Sequence, residues 1–198
     1  MTLERRTQAE RSAATRAALI HAARRLFAEH GFAGVGTEAI VRAADVTRGA
    51  LYHHFADKTE LFDAVLDAVE GDVTERIVAR VLSDTDAGVV QMMMNGVEEW
   101  FDSCQDPEVQ RILLTDGPSV LGWERWREIC LTHVLGLCES LLSQGMDDGT
   151  FERQPLRPLA HVVMAVMDEA ALYIVTQPDP DAARRDMESI ITRLLAAL

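Results

Sequence analysis

The sequence predicts an all-α protein of about nine helices, in which a small N-terminal three-helix unit is joined by a shared fourth helix to a larger helical domain. Apolar residues recur at helical spacing along nearly the whole chain, and the alternating patterns and Asn-Gly turns typical of β-hairpins are missing. The chain has 198 residues, of which 48% are hydrophobic and 26% charged. That composition is typical of a globular protein with a substantial core.

The first two helices are predicted from an apolar stripe and from residues that favour helix ends. Apolar residues at i, i+3, i+4 and i+7 indicate a first helix over residues 8–30. Gly31 follows as its C-terminal stop, since glycine accepts positive φ. Thr37 is the expected N-cap of a short second helix that ends at Ala44.

A tight turn and two more helices follow. Asp45 lies where the backbone needs positive φ, which Asp tolerates better than most residues. Thr47 is the expected cap of a third helix over residues 48–54, and Asp57 that of a fourth helix reaching about Leu82. The later helices are expected over residues 87–104, 107–115, 120–144, 156–176 and 180–198, with a break at 116–118.

Net charge divides the chain into two parts. The formal charge of −13 argues against nucleic-acid binding when it is taken as a single number. However, residues 1–60 carry nine basic against seven acidic residues, whereas residues 61–198 carry ten against 25. We therefore expect two units, over residues 1–56 and residues 57–198, with different kinds of surface.

The two short helices and their turn form a helix-turn-helix pattern, supported by the first helix. The outer face of the third helix concentrates hydrogen-bond donors, so that Arg48 is placed to read guanine in a major groove. Thr37 and Lys58 each begin a helix, where free N–H groups favour a phosphate. The predicted DNA-binding residues are Thr37, Thr47, Arg48, Gly49, Tyr52, His53, His54 and Lys58. His53 is equally well explained as plain surface.

This segment closely resembles the DNA-binding domain of the tetracycline-repressor (TetR) family over about residues 10–70. The matching motifs are Gly31-Phe32, Thr37, Ile40-Val41, Leu51-Tyr52-His53-His54-Phe55 and Lys58-Thr-Glu-Leu61. The departures are Asp45 for the usual Gly, Thr47 for Ser, Val41 for Ala, and Val35-Gly36 where Thr or Ser is common. The resemblance implies a homodimeric transcriptional repressor that binds an inverted-repeat operator without ligand and is released by a small-molecule inducer. It assigns an N-terminal arm and DNA-binding domain to residues 1–56, and a ligand-binding and dimerisation domain to residues 57–198. An activator remains an alternative.

The N-terminal arm carries several arginines outside this motif. Arg5, Arg6 and Arg11 either enter a minor groove or belong to a disordered arm. The second interpretation is the more common one for a short polar arm.

The middle helices are rich in Met and Trp, which suit a pocket for a largely apolar effector. The candidate pocket residues are Met93, Val97, Trp100, Phe101, Cys104, Trp123, Trp126, His133, Met164 and Tyr173. At helical spacing such residues are more often plain core residues, and this is the favoured interpretation for any single one of them. Asp168 and Glu169 are unusual in an apolar helix; they either bind a cationic ligand group, pair with Arg184 or Arg185 across an interface, or are simply exposed.

The last two helices carry the predicted dimer interface. The penultimate helix is apolar nearly all round, so it needs neighbours on two sides, one of which is a second subunit in a four-helix bundle. The candidate interface residues are Val163, Met167, Met187, Ile190, Ile191, Leu194 and Leu195. A helix buried wholly within one subunit is the alternative.

Other classes of site and location are disfavoured. Cys130, His133 and Cys138 lie at offsets that do not converge on a metal, so no metal or cofactor is expected. No nucleophile–base pair or phosphate loop is visible, which disfavours an all-helical enzyme, and intact Arg48 and Tyr52 disfavour a helical adaptor. The odd cysteine count and the lack of a signal peptide predict a cytoplasmic protein, and the acidic pair makes the apolar penultimate helix a poor membrane span.

Overall fold

The structure is a computed structural model that describes residues 7–84 and 86–198. These residues form nine helical runs without any strand. The runs are α1 (Gln8–Gly34), α2 (Thr37–Ala43), α3 (Arg48–His54), α4 (Lys58–Val81), α5 (Val89–Ser103), α6 (an unbroken series of Pro107–Val109, Gln110–Asp116 and Gly117–Leu121), α7 (Trp123–Asp147), α8 (Leu156–Thr176) and α9 (Pro180–Leu195). The predicted all-α class is confirmed.

Local sequence signals account for the helices of the N-terminal unit. The Thr47 and Asp57 side chains accept hydrogen bonds from the N–H groups of Ala50 and Glu60, so both predicted caps are present. Asp45 has the expected positive φ, 54°. The predicted cap of α2 is wrong by one residue: Gly36 is the N-cap and Thr37 is the first helical residue.

Gly31 ends the regular part of α1, as predicted. Its backbone has φ 69° and ψ 165°, and one further turn follows before Val35. The Phe32 N–H that this break frees donates to the Asp116 carboxylate at 2.7 Å. A side chain of α6 therefore helps to hold the end of α1.

The predicted break at residues 116–118 is wrong, because α6 continues through it. Residues Gln110–Asp116 form a wider π-helical segment, and Pro118 falls in the first turn of the segment that follows, where a missing N–H is tolerated. The run stops at Gly122 (φ 78°), so α7 begins three residues later than expected. Helix α7 also passes through Gly145, where a Cβ would lie 2.2 Å from the Phe151 ring.

The core is continuous across the predicted domain boundary. Helix α4 packs against α1, α5 and α7, and it buries most of one face. Phe27 and Phe32 of α1 meet Phe62 of α4 edge to face, with ring centroids 5.3 and 5.2 Å apart. The N-terminal unit and the larger domain therefore share one packed core at this point.

Helix α8 is the part of the described chain that is long and apolar enough to cross a membrane by length and composition. It packs against α7 and α9. Core helices of globular proteins meet the same two criteria, so the feature is weak evidence for a membrane span.

Candidate nucleic-acid interface and interior cavity

The outer face of α3 presents the predicted donors together. Thr47, Arg48, Gly49 and His53 are exposed on it, and Tyr52 is 44% exposed. Leu51 and Phe55 on the opposite side are fully buried, which fixes the rotation of this short helix. The face is thus accessible to a large partner such as a DNA groove.

Arg48 and Tyr52 form a small cluster with the start of α2. The Arg48 guanidinium lies 5.5 Å from the Tyr52 ring centroid, and its Nη1 is 3.8 Å from the exposed Glu38 carboxylate. The Thr37 hydroxyl and the Arg48 guanidinium lower the pKa of the Tyr52 hydroxyl. An exposed pair such as Arg48–Glu38 contributes little to stability, so breaking it costs little.

Lys58 lies differently from the other candidates, since it is half-buried at the start of α4. Its Nζ donates to the carbonyls of Phe32 and Val35, both at 2.9 Å, and lies 3.9 Å from the Phe32 ring centroid. Two of its three hydrogens therefore satisfy carbonyls at the end of α1.

The two histidines of α3 border a shallow cleft against the start of α1. Their rings are 5.1 Å apart, and the cleft also includes Arg11. Burial, followed by the nearby His53 and Arg16, lowers the pKa of His54. The arm residues Arg5 and Arg6 lie outside the described part of the chain.

A second set of contacts joins α1 to the larger domain. The Arg24 guanidinium pairs with the Glu108 carboxylate through two bonds of 2.9 and 2.7 Å, and it also pairs with Asp72. These carboxylates raise the pKa of Arg24. Helices α1, α4 and α6 are thereby held together at one junction.

A cavity of about 110 Å³ lies between α4, α5, α7, α8 and α9. Of the predicted pocket residues, Met93, Val97, Trp100 and Met164 line it. The remaining lining residues are Glu70, Ile77, Val81, Gly96, Cys130, Val134, Leu137, Cys138, Leu141, Val163, Met167, Asp168 and Leu195.

The other predicted pocket residues lie elsewhere. Phe101, Cys104 and Trp126 are buried in the core beside the cavity, and Trp126 donates to the Leu113 carbonyl at 2.9 Å. His133 pairs with Asp67 at 2.9 Å, and both Trp123 and Tyr173 are exposed. Helical periodicity gives the spacing of such residues but not which neighbouring helix they face. It therefore does not distinguish residues that line the cavity from residues that lie in the core or on the surface.

Two carboxyl groups interrupt the apolar wall of the cavity. Asp168 accepts from Arg127 at 2.6 Å, within the same chain, and this corrects the pairing with Arg184 or Arg185. Burial, and then the charges of Asp168 and Asp67, raise the pKa of Glu70 to about 7, against the opposing charge of Arg127. Glu70 was missed from the sequence, although it breaks the apolar stripe of α4 one turn after Leu66.

The cysteines are poorly suited to thiolate chemistry. Burial raises the pKa of Cys138 to about 12, and it raises those of Cys104 and Cys130 as well. A protonated, buried thiol is a weak nucleophile and a weak metal ligand. Among the described residues no group of three or more His, Cys, Asp or Glu side chains could hold a metal ion.

The predicted interface residues of α8 and α9 divide between the inside and the outside of the protomer. Val163, Met167 and Leu195 line the cavity, Ile191 is buried and Met187 is half-buried, so these five side chains contribute mainly to the protomer's own core. The exposed large apolar residues on the two helices are Val162, Leu172, Tyr173, Ile190 and Leu194. Ile190 and Leu194 are among the predicted interface residues, whereas Val162, Leu172 and Tyr173 of α8 are not.

Two family models match the chain. Residues 19–65 match the model described as bacterial regulatory proteins, tetR family, and residues 90–198 match the tetracyclin repressor-like C-terminal domain. The first covers the helix-turn-helix, and the second covers α5 to α9, including most of the cavity wall.

Relatives and solved structures agree with these models. A TetR-family transcriptional regulator from Pectobacterium atrosepticum has a TM-score of 0.81 and 29% identity, with 96% of each chain covered. The HTH-type transcriptional regulator CymR of Pseudomonas putida is 39% identical over 51% of this chain and 50% of its own. The HTH-type transcriptional repressor Rv1474c of Mycobacterium tuberculosis is 32% identical over 59% of this chain and 61% of its own, so the matches span about half to three fifths of these relatives. The chain belongs to the TetR family of bacterial regulatory proteins.

Proposed function

We propose that the protein is a homodimeric, ligand-responsive transcriptional repressor that binds an inverted-repeat operator and is released by a small-molecule inducer. The observation that carries this proposal is the exposed set of donors on α3, which packs against α1, while α1 packs against α4 and the other end of α4 lines the interior cavity. DNA recognition and effector binding then share one helix.

In this proposal the residues of α3 read the major groove. Arg48 donates to guanine O6 and N7, while Thr37, Thr47, Tyr52 and the histidines donate to phosphates. Gly49 has no side chain, so its backbone can approach the bases closely. A Cβ there would have only the Thr47 hydroxyl near it, at 3.9 Å, so packing within the protein does not require glycine at this position. Lys58 has one hydrogen left for a phosphate.

The second subunit is proposed to cover the exposed apolar face of α8 and α9. Val162, Leu172 and Tyr173 fall on one side of α8, and Ile190 and Leu194 fall on one side of α9. Two antiparallel pairs of such helices make a four-helix bundle about a two-fold axis. That symmetry would set two copies of α3 about 34–36 Å apart, which is one turn of DNA.

Inducer binding is proposed to act through α4. Glu70 and Ile77 of α4 line the cavity, and Lys58 at its start holds the end of α1. A ligand that displaces α4 would change the spacing of the two DNA-binding units. A coupling of about 1–3 kcal/mol would weaken operator binding about 5–150-fold.

We infer a regulatory, cytoplasmic role and no catalytic one. The thiols of the cavity are held protonated, and Asp168 is engaged by Arg127. These groups support binding of a ligand more than chemical attack on it.

The test is a footprint with the purified protein on the DNA around its own gene. We expect a protected inverted repeat, with Arg48→Ala costing about 1–3 kcal/mol in affinity and relaxing specificity at one base position per half-site. Arg153→Ala, which changes an exposed arginine of the larger domain, is the matched control and should bind as wild type. No protected repeat, or equal losses in the two variants, would contradict the proposal.

A further inference from the structure

The cavity contains a buried acid that lacks a partner. Glu70 is only 4% exposed, and its Oε2 has no hydrogen-bond partner among the described residues. It lies in the cavity wall, where nearly every other side chain is apolar. A buried carboxyl oxygen without a donor is costly, so it favours any ligand that brings one.

The charges around the cavity decide what kind of donor fits. The Arg127 guanidinium is engaged by Asp168 at 2.6 Å, so it is not paired with Glu70. The negative charges of Asp168 and Asp67 act on Glu70 more strongly than the opposing charge of Arg127 does. Such a site repels anions and attracts cations.

The rest of the cavity selects a small apolar body. Its volume of about 110 Å³ is somewhat below the roughly 150 Å³ of an apolar cavity known to bind benzene. Met93, Met164 and Met167 in the wall are flexible, so a modest expansion needs only changes of side-chain rotamer. A single ring or a short aliphatic chain meets this limit.

We propose that the cavity binds a small organic amine, with its apolar body among the methionines and its protonated nitrogen donating to Glu70. This proposal specifies the chemical class of the inducer of the proposed repressor. Binding of the amine stands by itself, and only its effect on DNA binding rests on the proposed function. Glu70 is on α4, and a ligand that draws Glu70 toward itself acts on the same helix that holds the DNA-binding unit.

The test is calorimetric titration of the protein alone at about pH 8, above the pKa of about 7 of Glu70, so that its carboxyl group is mainly ionised. The ligands are benzylamine, benzyl alcohol and benzoate, which share a ring and differ in charge. A shorter amine, n-butylamine, covers the case in which the ring is too large. The variants are Glu70→Gln, which keeps the shape and removes the charge, and Glu75→Gln, the same change at an exposed position of α4. Circular dichroism shows that each variant is folded.

The inference expects an amine to bind wild type and Glu75→Gln alike, and Glu70→Gln about ten- to hundredfold more weakly. Benzyl alcohol and benzoate should bind wild type more weakly than benzylamine. Equal binding of the alcohol or benzoate, unchanged amine affinity in Glu70→Gln, or no binding of either amine would overturn it. The operator footprint is measured separately. Amine binding without a footprint contradicts only the repressor proposal, and a footprint without amine binding contradicts only this inference.

Discussion

Replacing Lys58 by methionine tests whether this residue holds the protein together or mainly binds DNA. The substitution keeps the length of the side chain but removes the two hydrogen bonds to the Phe32 and Val35 carbonyls and the contact with the Phe32 ring. Hydrogen bonds to a charged group contribute about 1.5–3 kcal/mol each, and half-burial places these near the lower end. We therefore expect a loss of about 3 kcal/mol in the free energy of unfolding.

That loss is measurable in thermal unfolding. For a chain of this size about 3 kcal/mol corresponds to a fall of roughly 10 °C in melting temperature. Lys58→Arg keeps the charge and the donors in a bulkier group, so it should lose less than Lys58→Met. Operator affinity is measured in parallel over a range of salt concentrations well below the melting temperature.

The two roles of Lys58 give different results. The bonds to the end of α1 predict a lower melting temperature in Lys58→Met, and the proposed phosphate contact predicts a slope of affinity against salt that is smaller by about one. An unchanged melting temperature would refute the structural role, and an unchanged slope would refute the phosphate contact.

Two further predictions concern the interface and the cavity. Leu194→Glu places a charge on the exposed apolar face of α9 and should give a monomer in sedimentation. Leu82→Glu, at another exposed leucine, should leave the dimer intact. A dimer of Leu194→Glu would argue against that face as the subunit interface. Glu70 has its pKa raised by burial from 4.5 to about 7, so the folded protein keeps a proton that the unfolded chain has lost. As pH rises from about 4.5 to about 7, the free energy of unfolding should therefore fall by up to about 3 kcal/mol more in wild type than in Glu70→Gln. Equal pH profiles of the two proteins in urea unfolding would contradict this.

The N-terminal unit was largely predictable because its signals are local. Caps at Thr47 and Asp57, the stop at Gly31 and the positive φ of Asp45 depend on a few adjacent residues, and the structure has each of them where the sequence predicts it. The outer face of α3 follows from burial of Leu51 and Phe55 on the other side. Only the cap of α2 differs, since Gly36 takes the extended conformation before Thr37.

By itself, the sequence determined the helices, the division of charge and the donors on α3, since these depend on neighbours along the chain. The tertiary structure alone decided that Lys58 holds the end of α1, that Asp168 pairs with Arg127, and that Glu70 and not Trp123 borders the cavity. Helical periodicity gives each side chain a direction around its own axis. It does not give the rotation of one helix against another, and that rotation determines which buried groups meet.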